Sequence, residues 1–135
     1  MPQTVTVRSR ANYQTQVISG KHQLLADEPQ GVGDDLGMSP TQLLLGAIGA
    51  CASITLRMYA ARKGWPLERV EVTVELERER GHGEDRPRIL SRIKLFGDLS
   101  EEQRQRFEYV AARCPVRKLV SDETEISDEV ELAKT

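Results

Sequence analysis

Ser39-Pro40-Thr41-Gln42-Leu43-Leu44-Leu45-Gly46-Ala47-Ile48-Gly49-Ala50-Cys51-Ala52-Ser53-Ile54-Thr55-Leu56-Arg57-Met58-Tyr59-Ala60-Ala61-Arg62-Lys63-Gly64 is the stretch on which the fold turns. Its start carries a capping box, with Ser39 as cap, Pro40 where no backbone donor is needed, and Gln42 reaching back. Its end carries Arg62 and Lys63 in the last turn and Gly64 beyond it, the usual close of a helix. At about 1.5 Å per residue the predicted helix is roughly 35 Å long. Leu43, Leu44, Leu45, Ala47, Ile48, Ala50, Ile54 and Leu56 make its first turns apolar on every side, so it must be covered all round. In a chain of 135 residues, a sheet on one side and a second copy on the other is the expected cover. Only Leu43 to Leu56 is continuously apolar or small, fewer than the roughly 17 residues of a membrane span, and no membrane association is expected.

Working outward from the helix, the preceding chain reads as short strands at Thr4 to Arg8, Gln14 to Ser19 and Gln23 to Ala26, with a turn at Gly20 and Lys21. Asp27 to Ser39 is dense in Pro and Gly and reads as a loop. Beyond the helix, Val70, Val72, Val74 and Leu76 alternate with Glu71, Thr73, Glu75 and Glu77, the period-two pattern of a strand with one wet face. A turn through Gly81, Gly83, Asp85 and Pro87 leads into a second strand, Ile89 to Phe96, to make a hairpin. Ser100 and Gln103 form another capping box, opening a helix that brings Phe107, Val110 and Ala111 to one face. Pro115 ends it near Arg113 and starts a short helix to Val120 with Cys114 at its N-cap. Ile126, Val130 and Leu132 predict a last strand, Glu125 to Leu132. The order β-β-β-α-β-β-α-α-β implies an α+β fold in one domain, 1–135.

Hydrophobic residues at 39% and charged residues at 30% are a globular balance rather than that of a disordered chain. Aromatics are 4%, which predicts a core of aliphatic side chains between helix and sheet. A formal net charge of -2 provides no field for phosphate backbones or anionic lipid, so nucleic-acid partners are not expected. Met1 to Arg10 lacks the apolar core of a secretory signal, so the expected location is cytoplasmic.

Two cysteines, Cys51 and Cys114, are too few for a disulfide framework and lack CxxC spacing. By its helical neighbours alone, Cys51 reads as an inert buried thiol. Cys114, at a helix N-terminus beside Arg113, Arg117 and Lys118, reads locally as the better nucleophile, with a lowered pKa. A zinc site from Cys51, Cys114, His22 and His82 would need ligand spacing that no pair shows. Neither a metal nor an organic cofactor is expected.

The segment from Ser39 to Cys51, continued by Thr55-Leu56-Arg57-Met58-Tyr59-Ala60 and Lys63-Gly64-Trp65-Pro66-Leu67, closely resembles the OsmC/Ohr family of osmotically inducible and organic hydroperoxide resistance proteins. Cys114-Pro115-Val116 resembles its second cysteine signature, and the likeness reaches back to Gly20-Lys21-His22 and Asp27-Glu28-Pro29. The resemblance implies an OsmC-like α+β fold, with antiparallel sheets wrapped around the long helix in an intertwined homodimer. It also implies that Cys51 attacks a hydroperoxide and that Cys114 resolves the sulfenic acid as a disulfide, later reopened by an external dithiol. This reverses the local ranking of the two thiols and requires them within disulfide reach.

Two positions depart from the organic-peroxide branch of that family. A glutamate ten residues before the helix cysteine is replaced by Thr41, with polar Gln42 next to it. An early arginine that stabilises the thiolate is matched by Gln14, unless a shifted register brings Arg8 or Arg10 there. These departures predict weakened peroxidase activity and leave room for a non-enzymatic relative that binds a hydrophobic ligand or senses redox state at the dimer cleft.

Overall fold

The computed structural model describes residues 3–79, 86–121 and 124–133. The elements are β1 (Thr6–Ser9), β2 (Thr15–Ser19), β3 (His22–Ala26), α1 (Pro40–Lys63), β4 (Leu67–Glu79), β5 (Arg86–Gly97), α2 (Glu101–Ala111) and α3 (Pro115–Ser121). This is the expected mixed α+β architecture, with antiparallel strands and one long helix. Boundaries differ from expectation by a few residues, mostly at fraying ends. Of the expected hairpin turn, Gly81, Gly83 and Asp85 lie outside the described residues, and Pro87 lies within β5.

The chain divides into two compact units, Met1–Ala47 with Val74–Leu90 and Ile48–Thr73 with Ser91–Thr135. In the first, β1, β2 and β3 form an antiparallel sheet in sequence order, with Val7 opposite Val17 and Val17 opposite Leu24. The turn-rich loop that follows is organised by a buried acid. Asp27 is 1% exposed; its Oδ1 accepts from the Glu28 N–H at 2.7 Å and its Oδ2 from the Leu36 N–H at 3.2 Å. Those donors let a carboxylate sit inside, where an unpaired charge would not be tolerated.

The expected capping box of α1 is present: Ser39 Oγ accepts from the Gln42 N–H at 3.2 Å, and Gln42 Oε1 accepts from the Ser39 N–H at 2.9 Å. Gly64, at φ 69°, closes the helix, and the Trp65 N–H bonds back to the Ala60 carbonyl at 2.9 Å. By length and composition, α1 is apolar enough to cross a membrane, contrary to the expectation from its uninterrupted run. Its C-terminal part is built into the second unit: Leu56, Tyr59 and Ala60 are buried with Phe107 and Ala111 of α2, and Arg57 donates to the Leu67 and Glu68 carbonyls at 2.7 Å each.

The core of the second unit is mainly aliphatic, as expected, with Leu56, Ala60, Leu67 and Ala111 buried, and an aromatic cluster is set into it. Tyr59, Trp65 and Phe107 meet edge to face, with ring centroids 5.5, 6.1 and 5.4 Å apart, and Val70, Ile93 and Leu95 pack against them. Few aromatics suffice because those present are gathered by tertiary packing, which composition does not report.

A further expectation is corrected. Residues 124–133 form neither helix nor strand, and Ile126, Val130 and Leu132 are 83, 93 and 98% exposed. Their alternation supplies strand propensity but no partner edge. As the expected second copy requires, α1 is not covered all round by its own chain: Ile48, Gly49, Ala52, Leu56, Tyr59 and Ala60 are buried, while Leu44, Ile54 and Met58 are 45, 59 and 68% exposed.

Leu56 is 0% exposed at the centre of this packing. Leu56→Ala is therefore expected to cost about 3 kcal/mol in urea denaturation; a loss under about 1 kcal/mol would show that the site is not packed as described.

Candidate active site

Both sequence-predicted thiols lie in the second unit, and both are free. Cys51 sits mid-helix in α1 and is half-buried, its Sγ 4.0 Å from Thr55 Oγ1 one turn on. Cys114 lies between α2 and α3 and is 1% exposed. As expected of an N-cap, its carbonyl accepts the Lys118 N–H at 3.2 Å, and its thiol accepts a hydrogen bond from the Arg117 backbone N–H.

The local expectation about its acidity is overturned. Burial pushes the Cys114 thiol above its usual value, and the Arg117 backbone bond opposes this without prevailing. A hydrogen bond with the Cys51 side chain and the charge of Cys51 push in the same direction as burial, while the charge of Arg117 pulls weakly back. The two thiols are thus near enough to influence one another, and burial keeps the Cys114 proton in place to higher pH than on an exposed thiol. Of the flanking cations, Arg117 acts on the thiol, whereas Arg113 stacks 3.5 Å from the Tyr109 ring centroid and donates to the Tyr109 carbonyl at 2.9 Å.

The family model described as OsmC-like protein matches residues 33–128. The chain belongs to the OsmC-like protein family. Among solved structures, an OsmC-like protein from Mycoplasma pneumoniae is similar at 21% identity and TM-score 0.76, covering 91% of this chain and 89% of that one. An organic hydroperoxide resistance protein from Legionella pneumophila is similar at 18% identity and TM-score 0.67, covering 90% of each chain. One from Vibrio cholerae, described as a putative organic hydroperoxide resistance protein with captopril in one active site, is similar at 19% identity and TM-score 0.63, covering 89% and 85%. Among curated proteins there is no match.

In this OsmC-like protein, the polar positions flagged in the sequence have local tasks. Gln14 Nε2 donates to Asp34 Oδ2 at 3.0 Å and Asn12 Nδ2 to the same oxygen at 2.9 Å. These bonds, Asn12 first, hold the Asp34 carboxyl below its usual value. Gln42 is committed to the helix cap, Thr41 is exposed in the first turn, and Arg8 and Arg10 are exposed on and just after β1. His22 is exposed in β3, and His82 lies outside the described residues. Among the described residues, no group of three or more His, Cys, Asp or Glu side chains is placed to hold a metal.

Sequence reasoning placed Thr55 one turn from Cys51 and Arg117 beside Cys114, but missed that Arg117 acts first through its backbone N–H, three residues past the N-cap. It also missed a cavity of about 570 Å³ in the second unit, lined by Leu56, Ile93, Leu95, Leu99 and Phe107 together with Arg104 and Glu108. That wall assembles from three separate elements, α1, β5 and α2, and connecting chain, so no local pattern announces it.

The raised Cys114 value has a sign that can be tested. The folded chain keeps this thiol protonated to higher pH than the unfolded chain does. The contribution to stability is whole below the unfolded value of about 8.5 and is lost as pH rises through the folded one. The melting temperature of the wild type should therefore fall relative to that of Cys114→Ser between about pH 8 and pH 10. A difference that stays constant across this range would contradict the burial account.

Proposed function

We propose that this chain is a thiol-dependent peroxidase that reduces organic hydroperoxides through Cys51 and Cys114, working as a cytoplasmic homodimer in defence against oxidative stress. The observation that carries this reading is the placement of a half-buried thiol, Cys51, near enough to a buried one, Cys114, to influence it. Names of similar structures, organic hydroperoxide resistance proteins among them, support the substrate class.

In the proposed cycle the Cys51 thiolate attacks the distal peroxide oxygen. The O–O bond breaks, the alcohol leaves with a proton, and Cys51 becomes a sulfenic acid. Cys114 then attacks that sulfur, water departs with the sulfenic oxygen, and a disulfide remains. An external dithiol reopens it by exchange and is itself oxidised. A resolving thiol need not be ionised beforehand, since its proton can pass to the departing hydroxyl. Cys114, held protonated near Cys51, suits that second role. No metal or organic cofactor enters the cycle.

The exposed apolar stripe of α1 supports the dimer. Leu44, Ala47, Cys51, Ile54 and Met58 recur at alternating spacings of three and four, which is the stripe along which helices pack on one another. Leu44, Ile54 and Met58 are largely exposed, so a second copy laid along the stripe would bury them and enclose Cys51 in apolar walls suited to an organic peroxide.

A second reading rests on the 570 Å³ cavity, whose apolar lining and size suit a small hydrophobic ligand held without chemistry. The thiols separate the two. Cys114→Ser should react once with an organic hydroperoxide and stop at a trappable sulfenic acid on Cys51, Cys51→Ser should not undergo that first oxidation, and the wild type should sediment as a dimer at micromolar concentration. Exchanged outcomes would make Cys114 the attacking thiol. If neither thiol outpaces free cysteine, the peroxidase reading falls and the binding reading replaces it.

A further inference from the structure

Thr55 is the polar side chain that α1 sets beside the sulfur proposed to attack. Its Oγ1 lies 4.0 Å from Cys51 Sγ, on the same face of the helix because four residues make about one turn. Both residues are half-buried, so their own chain does not close over the gap between them. Among the described residues the Thr55 hydroxyl has no other hydrogen-bond partner. The glutamines at or next to the two departing positions are committed elsewhere, Gln14 to Asp34 and Gln42 to the helix cap.

At 4.0 Å the gap is long for a direct hydrogen bond, yet one oxygen atom can span it. An oxygen at a reacting separation of about 3 Å from the sulfur and about 2.8 Å from the hydroxyl oxygen closes a triangle on that base, with nearly a right angle at the shared atom. A hydroperoxide offers such an atom. In-line attack brings the sulfur to the distal oxygen along the extension of the O–O bond, and the distal O–H bond stands nearly at right angles to that line. The hydrogen can thus point at Thr55 Oγ1 while the sulfur stays in line.

We propose, resting on the peroxidase cycle above, that Thr55 binds the reacting end of the substrate: its hydroxyl oxygen accepts a hydrogen bond from the distal O–H of the hydroperoxide and holds that oxygen in line with Cys51 Sγ. As the sulfur–oxygen bond forms and the O–O bond breaks, the distal oxygen keeps its hydrogen and becomes the sulfenic hydroxyl. The alkoxide leaves with the bonding pair and takes from water the proton that Cys51 released on ionising. Sulfur is oxidised, the peroxide is reduced, and Thr55 is unchanged. Within apolar walls, a hydroxyl so placed fixes the orientation of a substrate that otherwise offers mainly hydrocarbon. An alkylating agent with no O–H at its reacting atom gains nothing from Thr55, which separates holding the substrate from any general effect on the thiol.

The test uses the full chain with Cys114→Ser, which stops the reaction at the Cys51 sulfenic acid, alone and with Thr55→Val or Thr55→Ser. Two rates at Cys51 are read at one pH, sulfenic acid formation with cumene hydroperoxide and alkylation by iodoacetamide. Thr55→Val keeps the shape and removes the hydroxyl, so it should slow the peroxide reaction about tenfold and leave alkylation within about twofold. Thr55→Ser, which keeps the hydroxyl, should recover most of the peroxide rate. A fall of both rates together would overturn the proposal, because Thr55 would then act on the thiol and not on the peroxide. Loss in Thr55→Val without recovery in Thr55→Ser would overturn it as well. A parent that reacts fast and is indifferent to Thr55→Val removes the role of the hydroxyl alone, whereas a parent no faster than free cysteine removes the peroxidase reading and this inference with it.

Discussion

Packing of Leu56, Tyr59 and Ala60 of α1 against Phe107 and Ala111 of α2 is the contact from which the site follows. Cys51 lies five residues before Leu56 on a rigid helix, and Cys114 lies three residues after Ala111. Seating one helix on the other therefore brings the thiols together without any residue devoted to that purpose. The same packing leaves Cys114 almost without solvent. A helix terminus is worth about 0.3–1 kcal/mol to a nearby charge, less than the roughly 1.4 kcal/mol of one pKa unit. Burial of a thiol exceeds that readily, which is why the short α3 does not make Cys114 acidic. Geometry that looks activating in sequence becomes, inside the fold, a means of keeping a proton on the second thiol.

A single helix with two apolar faces explains why the fold and the proposed assembly are one problem. The face centred on Leu56 is satisfied within the chain, and the stripe through Leu44, Ile54 and Met58 is not. Cys51 lies on that stripe, so whatever covers it also forms the approach to the sulfur proposed to attack. Departures at Gln14 and Thr41 bear on strength rather than on layout. Gln14 is drawn into a bond with Asp34, and an amide cannot give the positive charge an arginine would bring to a thiolate.

Features set by local chemistry were legible in the sequence. Both capping boxes, at Ser39 and Ser100, form as read, as do the Gly64 stop, the short antiparallel sheet and the long hairpin strands. The two cysteine segments pointed to the right family. What escaped depends on residues distant along the chain. Tyr59, Trp65 and Phe107 meet through packing rather than spacing, Asp27 is buried because loop amides reach back to it, and the direction of the Cys114 shift depends on how deeply α2 and α1 enclose it. The strand expected at 125–132 failed in the same way, since alternation names a strand's faces but not its neighbour.

The most direct test of the two-thiol account is a single turnover of the wild type. One equivalent of an organic hydroperoxide, added to the fully reduced protein without dithiol, should convert each chain to a form lacking two hydrogens, with peptide mapping joining Cys51 to Cys114 in one bond and an equivalent of alcohol released. A product that gains oxygen at Cys114, or peroxide left unconsumed while both thiols stay free, would contradict it.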